Sequence, residues 1–392
     1  MCPLNIVVVG SGIGGVAAAW DAVRFIPDAK VRLIGDEDIY VRHKIRYVAH
    51  GLDISLDTSH LESNGVEITR DRAIKIDRTN KTLLTEKSGE IPYDYLILAT
   101  GAEPSKPPVP GGELARGFRR KEDVEYLLAE RPQEVAIIGA SYVALHAAQT
   151  CKDLGLLPYV IVRSRLIRKS LEPELSEELE KRLKERGIEF VHGKIKSLEQ
   201  DGPVVDDGKV RADLTISATG VKPNSEIAKK AGLELWWDNV KVDKQGRTSD
   251  PRIFAIGDVS NCYDPITGRI DYFGLGTVAT IMAYNSVNAI KGSKAALKTP
   301  RYQKDVFFRD IYVRSIGFTS PEAEKAGFSP NRKKIEEGDE IAYIVYDEPT
   351  GRVIGYSALS KRDSGEKDLL ILRTILRGAK ISEVLESMGL GA

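Results

Sequence analysis

The first half of the chain is built from short runs of β-branched and aliphatic residues rather than from alternating apolar and polar positions. Residues 5–9, Asn-Ile-Val-Val-Val, form such a run, which predicts a strand buried on both faces of a parallel sheet. It leads into Gly10-Ser11-Gly12-Ile13-Gly14-Gly15 and then into residues 17–23, whose alanines favour helix. A second apolar strand over residues 30–34 ends at Gly35-Asp36-Glu37. Strand, glycine turn, helix and strand make the opening of a βαβ unit.

The pattern recurs downstream. Residues 134–138 predict another buried strand, followed by Gly139-Ala140-Ser141-Tyr142-Val143-Ala144 and a helix through Leu154. A strand over 159–162 and a charged helix over 176–186 come next, with Pro158 punctuating a turn. Two such units imply two nucleotides brought together, the arrangement of a flavin enzyme reduced by a nicotinamide.

The first turn has a physical logic. Gly10 permits the tight turn, Gly12 lets the backbone approach a pyrophosphate, and Gly15 allows close packing of helix on strand. Asp36 falls 21 residues after Gly15, where an acid accepts hydrogen bonds from a ribose. In the second turn Ser141 stands at the close-approach position, where a Cβ obstructs a pyrophosphate unless the loop shifts. Ala144 replaces the last glycine. The second strand ends not in an acid but in Arg163-Ser164-Arg165, with Arg168 nearby. Guanidinium forks suit a ribose 2′-phosphate, so NADPH is expected over NADH, the alternative being a solvated basic edge.

Composition narrows the class. The 392 residues carry 57 Lys+Arg against 57 Asp+Glu, which removes the electrostatic case for nucleic acid or an anionic membrane as main partner. The apolar runs at 95–99 and 135–138 are far shorter than the ~20 residues of a membrane span, and no basic leader precedes the first strand, so a cytoplasmic protein is expected. Cys2, Cys151 and Cys262 lie far apart with no metal-ligand spacing; no metal site is expected. Few Met and Cys beside 29% charged residues point to a heat-adapted source.

These motifs resemble the pyridine nucleotide-disulphide oxidoreductase family of FAD flavoproteins, over nearly the whole chain. Tyr95 to Gly101, ending Ala99-Thr100-Gly101, and Leu214 to Gly220, ending Ala218-Thr219-Gly220, look like the family's two chain crossings between nucleotide domains. Ile253 to Asp258 looks like its second FAD motif. The resemblance implies that Asp258 meets the flavin ribityl chain beside Gly257, and that a helix starting near Thr277 points its N-terminus at the flavin. Residues 315–328 resemble the start of the interface domain of the NADH oxidase and coenzyme A-disulphide reductase branch, which makes a homodimer there. The expected fold class is therefore α/β, two nested Rossmann-like dinucleotide-binding domains plus an α+β C-terminal interface domain. The implied domains are 1–112 with 245–300 for FAD, 113–244 for NAD(P)H and 301–392 for the dimer interface, which takes in the apolar stretch 369–376.

Departures from the family bear on chemistry. Its disulphide reductases carry a redox cysteine about forty residues in. Here that region reads Tyr40-Val41-Arg42-His43-Lys44-Ile45-Arg46-Tyr47, with no cysteine, so thiol-based disulphide activities are not expected. Tyr40 and Arg42 match the cysteine-free rubredoxin and ferredoxin reductases, but His43 and Lys44 replace their proline pair. Tyr302, Phe307 and Phe308 either substitute for the aromatic motif those reductases place near the flavin or simply pack. His146 occupies a position that is glutamate in many relatives, near the nicotinamide carboxamide; it binds there or is a core histidine with a satisfied partner.

The expected activity is an FAD-dependent NAD(P)H oxidoreductase, passing electrons to rubredoxin or ferredoxin, to dioxygen or to a quinone-like acceptor. The alternatives are a flavin-binding interaction protein with a degenerate nicotinamide site and a sulfide or polysulfide oxidoreductase. The resemblance and the turns together give FAD contacts at Gly10, Gly12, Gly14, Gly15, Asp36, Glu37, Arg42, Thr100, Gly101, Gly257, Asp258 and Thr277. They give NADPH contacts at Gly139, Ser141, Tyr142, Val143, His146, Arg163, Arg165, Arg168, Thr219 and Gly220, with His43 and Lys44 near the reactive face of the flavin.

Overall fold

The computed structural model describes residues 3–389. Along the chain the elements that position the site are β1 (Asn5–Val9), α1 (Ile13–Phe25), β2 (Lys30–Gly35), β3 (Val66–Arg70), β4 (Tyr95–Leu98), β5 (Glu134–Ile138), α2 (Tyr142–Asp153), β6 (Leu157–Val162), α3 (Pro173–Lys184), β7 (Glu189–His192) and β8 (Leu214–Ser217). They continue with β9 (Ile253–Ala255), α4 (Gly276–Ile290), β10 (Tyr302–Phe307), β11 (Ile311–Gly317), β12 (Pro330–Glu337), β13 (Glu340–Asp347), β14 (Val353–Ser360) and α5 (Gly365–Arg377). The chain divides into two compact units.

The first unit takes residues up to Lys44, Asp53–Glu103 and Val221–Thr299. Its parallel sheet has the order β9-β4-β1-β2-β3, so the connections reverse direction on either side of β1, and the carboxyl end of β1 lies at the resulting crevice. The apolar runs are buried as expected: Ile6, Val8, Leu33, Leu96, Leu98 and Phe254 are inaccessible. Helix α1 starts at Ile13 rather than at residue 17, because Gly12 already serves as its N-cap. It lies close on the sheet because Gly15 has no side chain; a Cβ there would stand 1.8 Å from the Gly10 carbonyl oxygen.

Asp21 on α1 is half-buried, and that burial, only partly offset by Arg24, pushes its carboxyl up from 3.8 to about 6. A raised folded-state pKa means that this group's contribution is full below pH 3.8 and is lost as pH rises through about 6. Asp21→Asn is therefore expected to stabilise the protein at pH 8 by about 1 kcal/mol after allowance for solvent screening, and to have no benefit near pH 4. Denaturant unfolding at the two pH values checks the sign.

The second unit takes Ile45–Leu52, Pro104–Gly220 and the chain from Pro300 onward. Its parallel sheet has the order β7-β6-β5-β8, again with connections reversing at the glycine-turn strand. In each unit a three-stranded antiparallel meander, at 73–92 and 195–209, precedes the strand that leads into a chain crossing, β4 and β8 respectively. Pro158 lies inside β6 instead of in a turn; its pairing with β7 begins only at Tyr159, so the missing N–H leaves no ladder bond unmade there. Helix α3 starts at Pro173, three residues before the expected 176, because proline is suited to the first helical position.

The carboxy-terminal part of this unit is an antiparallel sheet, β10-β11-β14-β13-β12, whose strand β14 is buried along its whole length. Fully buried Glu172, at the start of α3, accepts hydrogen bonds from the Ser320 N–H at 2.6 Å and from Arg332 on β12 at 3.1 Å. The stretch 369–376 falls in α5, with Ile371 and Ile375 buried and Leu369 54% exposed.

Candidate functional site

In the first unit three chain segments converge. Gly10 adopts φ +114°, and a Cβ on it would stand 2.1 Å from the Ala99 carbonyl oxygen, so the turn is reserved for glycine. Gly12 has ordinary extended angles, yet a Cβ there would meet no protein atom within 4 Å; the space beside it is open. No side chain caps α1 and no acid occupies its first turn, so its leading N–H groups are available to an anion. Gly14 packs against Ala279 of α4, and Gly257, at φ +70°, faces the same alanine. Gly276 at the start of α4 lies beside Ile13, which is 51% exposed despite being apolar. A cradle open to phosphate at Gly12, flanked by an uncovered isoleucine and the start of α4, fits a bound dinucleotide such as FAD.

Around this turn the polar residues have defined partners. Ser11 donates to the Glu37 carbonyl oxygen at 3.2 Å, and the Glu37 carboxylate pairs with Arg42 at 2.7 Å, whereas Asp36 is exposed. The Thr100 hydroxyl donates to the Asn224 carbonyl oxygen at 2.9 Å, and Asn224 bonds back to Thr100 and Gly101, so this crossing is zipped by a residue absent from the expected set. The Asp258 carbonyl oxygen accepts from Asn239, another addition, and Thr277 is exposed in the first turn of α4. His43 and Lys44 are exposed in the 3₁₀ segment Arg42–His50.

The second unit repeats the geometry with changed chemistry. Gly139 has φ +131°, and a Cβ on it would stand 2.4 Å from the Ala218 carbonyl oxygen. Ser141 is the N-cap of α2, its hydroxyl accepting from the Ala144 N–H at 3.4 Å, so one leading amide is already satisfied. Val143, at the position of Gly14 in the first turn, is 44% exposed. Tyr142 turns inward and stacks on Phe307, and burial pushes its hydroxyl well above the usual phenol range. Thr219 and Ser217 share the Ser105 carbonyl oxygen, locking the second crossing at Gly220.

Arg163 and Arg168 are exposed at the end of β6, and Arg165 donates to the Arg168 carbonyl oxygen at 2.8 Å. Beside them opens a cleft of about 550 Å³ lined by Arg165, Lys181, Lys184 and His192 among others. His146 has both ring nitrogens engaged, one by Asp305 at 2.7 Å and one by Arg46 at 2.9 Å. Phe307 is inaccessible and packs on this histidine; Tyr302 donates to Asp368. Of the cysteines, Cys151 is buried, which pushes its thiol up to about 12, and Cys262 donates to the Asp271 carbonyl oxygen; Cys2 lies outside the described residues. No group of three potential metal ligands occurs among the described residues, and none of their helices is long and apolar enough to cross a membrane.

Two reversing parallel sheets, each with a glycine turn feeding a helix, define a flavoprotein with a second dinucleotide fold. The chain belongs to the pyridine nucleotide-disulphide oxidoreductase family, whose model matches residues 4–283. It is 30% identical over 358 residues to an NADH oxidase of Methanocaldococcus jannaschii, covering 85% of this chain and 78% of that protein. It is 28% identical over 393 residues to a CoA-dependent NAD(P)H sulfur oxidoreductase of Pyrococcus abyssi, covering 91% and 87%. The solved NAD-dependent persulfide reductase of A. fulgidus superposes with a TM-score of 0.89 at 26% identity, over 98% of this chain and 79% of that one. The protein is an FAD-dependent oxidoreductase that uses NAD(P)H.

Proposed function

We propose that this enzyme takes a hydride from NADPH onto bound FAD and delivers the electrons to an acceptor that needs no protein thiol. That acceptor is a small iron-sulfur protein, dioxygen or a quinone. FAD, when bound, accepts electrons in pairs and releases them singly or in pairs. The observation carrying the reading is the state of the thiols: residues 40–51 contain none, and the thiolate form of Cys151 is suppressed by burial. The first unit is assigned to FAD through Gly10, Gly12, Gly15 and the 257–258 turn, and the 139–144 turn to the nicotinamide nucleotide. His43 and Lys44 are assigned to the reactive face, residues 301–392 to a homodimer interface, and the protein to the cytoplasm.

Anaerobic stopped-flow mixing with NADPH and NADH, followed by reoxidation with oxygen, a quinone or a rubredoxin, tests the reading. Reoxidation only by polysulfide or coenzyme A-disulphide would favour the second reading, sulfur reduction. That alternative is supported by likeness to the CoA-dependent sulfur oxidoreductase of Pyrococcus abyssi and the persulfide reductase of A. fulgidus.

Nucleotide choice gives a separate prediction. Among the described residues no acid lies at hydrogen-bond distance from Arg163 or Arg168, although the Glu322 carboxylate feels the Arg168 charge, and both guanidinium groups are exposed for a 2′-phosphate. Arg163→Ala with Arg168→Ala is expected to raise KM for NADPH by about ten- to a hundredfold, the worth of charge-assisted bonds, while KM for NADH stays within about twofold. Steady-state kinetics with both nucleotides reads this directly.

A further inference from the structure

Helix α2 opens at the second glycine turn and carries His146 in its second turn. A guanidinium has donors only, so where Arg46 Nη1 lies 2.9 Å from His146 Nδ1 the imidazole nitrogen must accept. The ring's single proton is then on Nε2, donated to Asp305 Oδ2 at 2.7 Å on β10. Arg46 is 8% exposed; its Nη1 also donates to the Val306 carbonyl oxygen at 2.9 Å, and its Nη2 to the Tyr47 hydroxyl at 3.0 Å. Phe307 closes one side of the imidazole, with ring centroids 4.9 Å apart. The bridge has a direction: donor at Arg46, acceptor then donor on the histidine, acceptor at Asp305. A proton on Nδ1, whether moved from Nε2 or added to it, sets donor against donor at Arg46.

We propose that Arg46 is a positioning residue for hydride transfer, acting through His146. The neutral Nε2–H imidazole, held between Arg46 and Asp305, ties residues 45–52 and β10 to α2, the helix that opens at the 139–144 turn. The proposal rests on the reading that the 139–144 turn takes the nicotinamide nucleotide. His146 then contributes no hydrogen bond of its own to the carboxamide, since both its nitrogens are engaged.

The test uses the FAD-loaded enzyme and follows flavin reduction by NADPH under anaerobic conditions. Arg46→Met and His146→Leu are expected to lower the limiting reduction rate by about tenfold or more, with Kd for NADPH changed less than about threefold, since misplacement by a fraction of an ångström slows transfer without weakening binding. His146→Gln, whose amide offers a carbonyl to Arg46 and an N–H to Asp305, is expected to recover most of the rate lost in His146→Leu. Independently, long-range proton–nitrogen correlation on histidine-labelled wild type, with the signal assigned by its loss in His146→Gln, should show the proton on Nε2. An unchanged limiting rate in Arg46→Met, a His146→Gln as slow as His146→Leu, or a proton on Nδ1 overturns the proposal. Wild-type flavin that neither nucleotide reduces overturns the underlying reading, and the wild-type trace alone reveals it.

Discussion

Replacing Arg314 with methionine is expected to lower the free energy of unfolding at pH 8 by about 3–5 kcal/mol, the cost of leaving buried carboxylates without their cation. Arg314 on β11 is inaccessible, pairs with Glu340 of β13 and with Asp368 of α5 at 3.3 Å, and donates to Ser360 at 3.2 Å. Burial pushes the Asp368 carboxyl up, and Arg314 is the foremost group opposing that push. Burial also works against Glu340, but hydrogen bonds from Lys367 and Arg314 hold it below the usual range. Without the guanidinium Glu340 keeps Lys367, and Asp368 keeps only the Tyr302 hydroxyl and the Lys304 charge, so both carboxyls rise, Asp368 still further above its unfolded value. Their contribution to stability is then retained at low pH and lost as pH climbs. The deficit of the variant should accordingly shrink at pH 5. Equal deficits at pH 5 and pH 8 in denaturant unfolding would assign the cost to lost packing instead of to uncompensated charge.

What was legible in the sequence follows from how far apart the deciding contacts lie. Strands β1 and β5 coincide with their expected bounds because a strand buried on both faces is a continuous apolar run, visible within five residues. The turns are legible for the same local reason, since φ +114° at Gly10 and +131° at Gly139 are requirements of a single residue. Helix starts shifted by a few residues because the cap, not the first alanine, sets them. The polar partners were not legible. Asn224 meets Thr100 across 124 positions and Asp305 meets His146 across 159, and no local pattern marks either residue. Tyr142 shows the same separation: its place in the turn is legible locally, but the ring it stacks on, Phe307, is far along the chain.

A pair of glycine substitutions separates the part of the first turn that serves the fold from the part that serves the cofactor. Gly10→Ala places a Cβ against the Ala99 carbonyl at a φ of +114°, so the apoprotein itself should be destabilised. Gly12 differs on both counts. Its angles, φ −74° and ψ −179°, suit any residue, and a Cβ there touches nothing within 4 Å. Gly12→Ala should therefore leave the melting temperature of the apoprotein unchanged within about 2 °C, as expected of a substitution costing well under 1 kcal/mol. It should nevertheless weaken FAD by about ten- to a hundredfold, because the methyl group fills the space through which a pyrophosphate approaches the start of α1. Flavin retention after gel filtration, set beside calorimetry of the stripped protein, measures the two effects separately. An apoprotein that melts normally and rebinds FAD as well as wild type would mean the open space at Gly12 is not where the pyrophosphate lies.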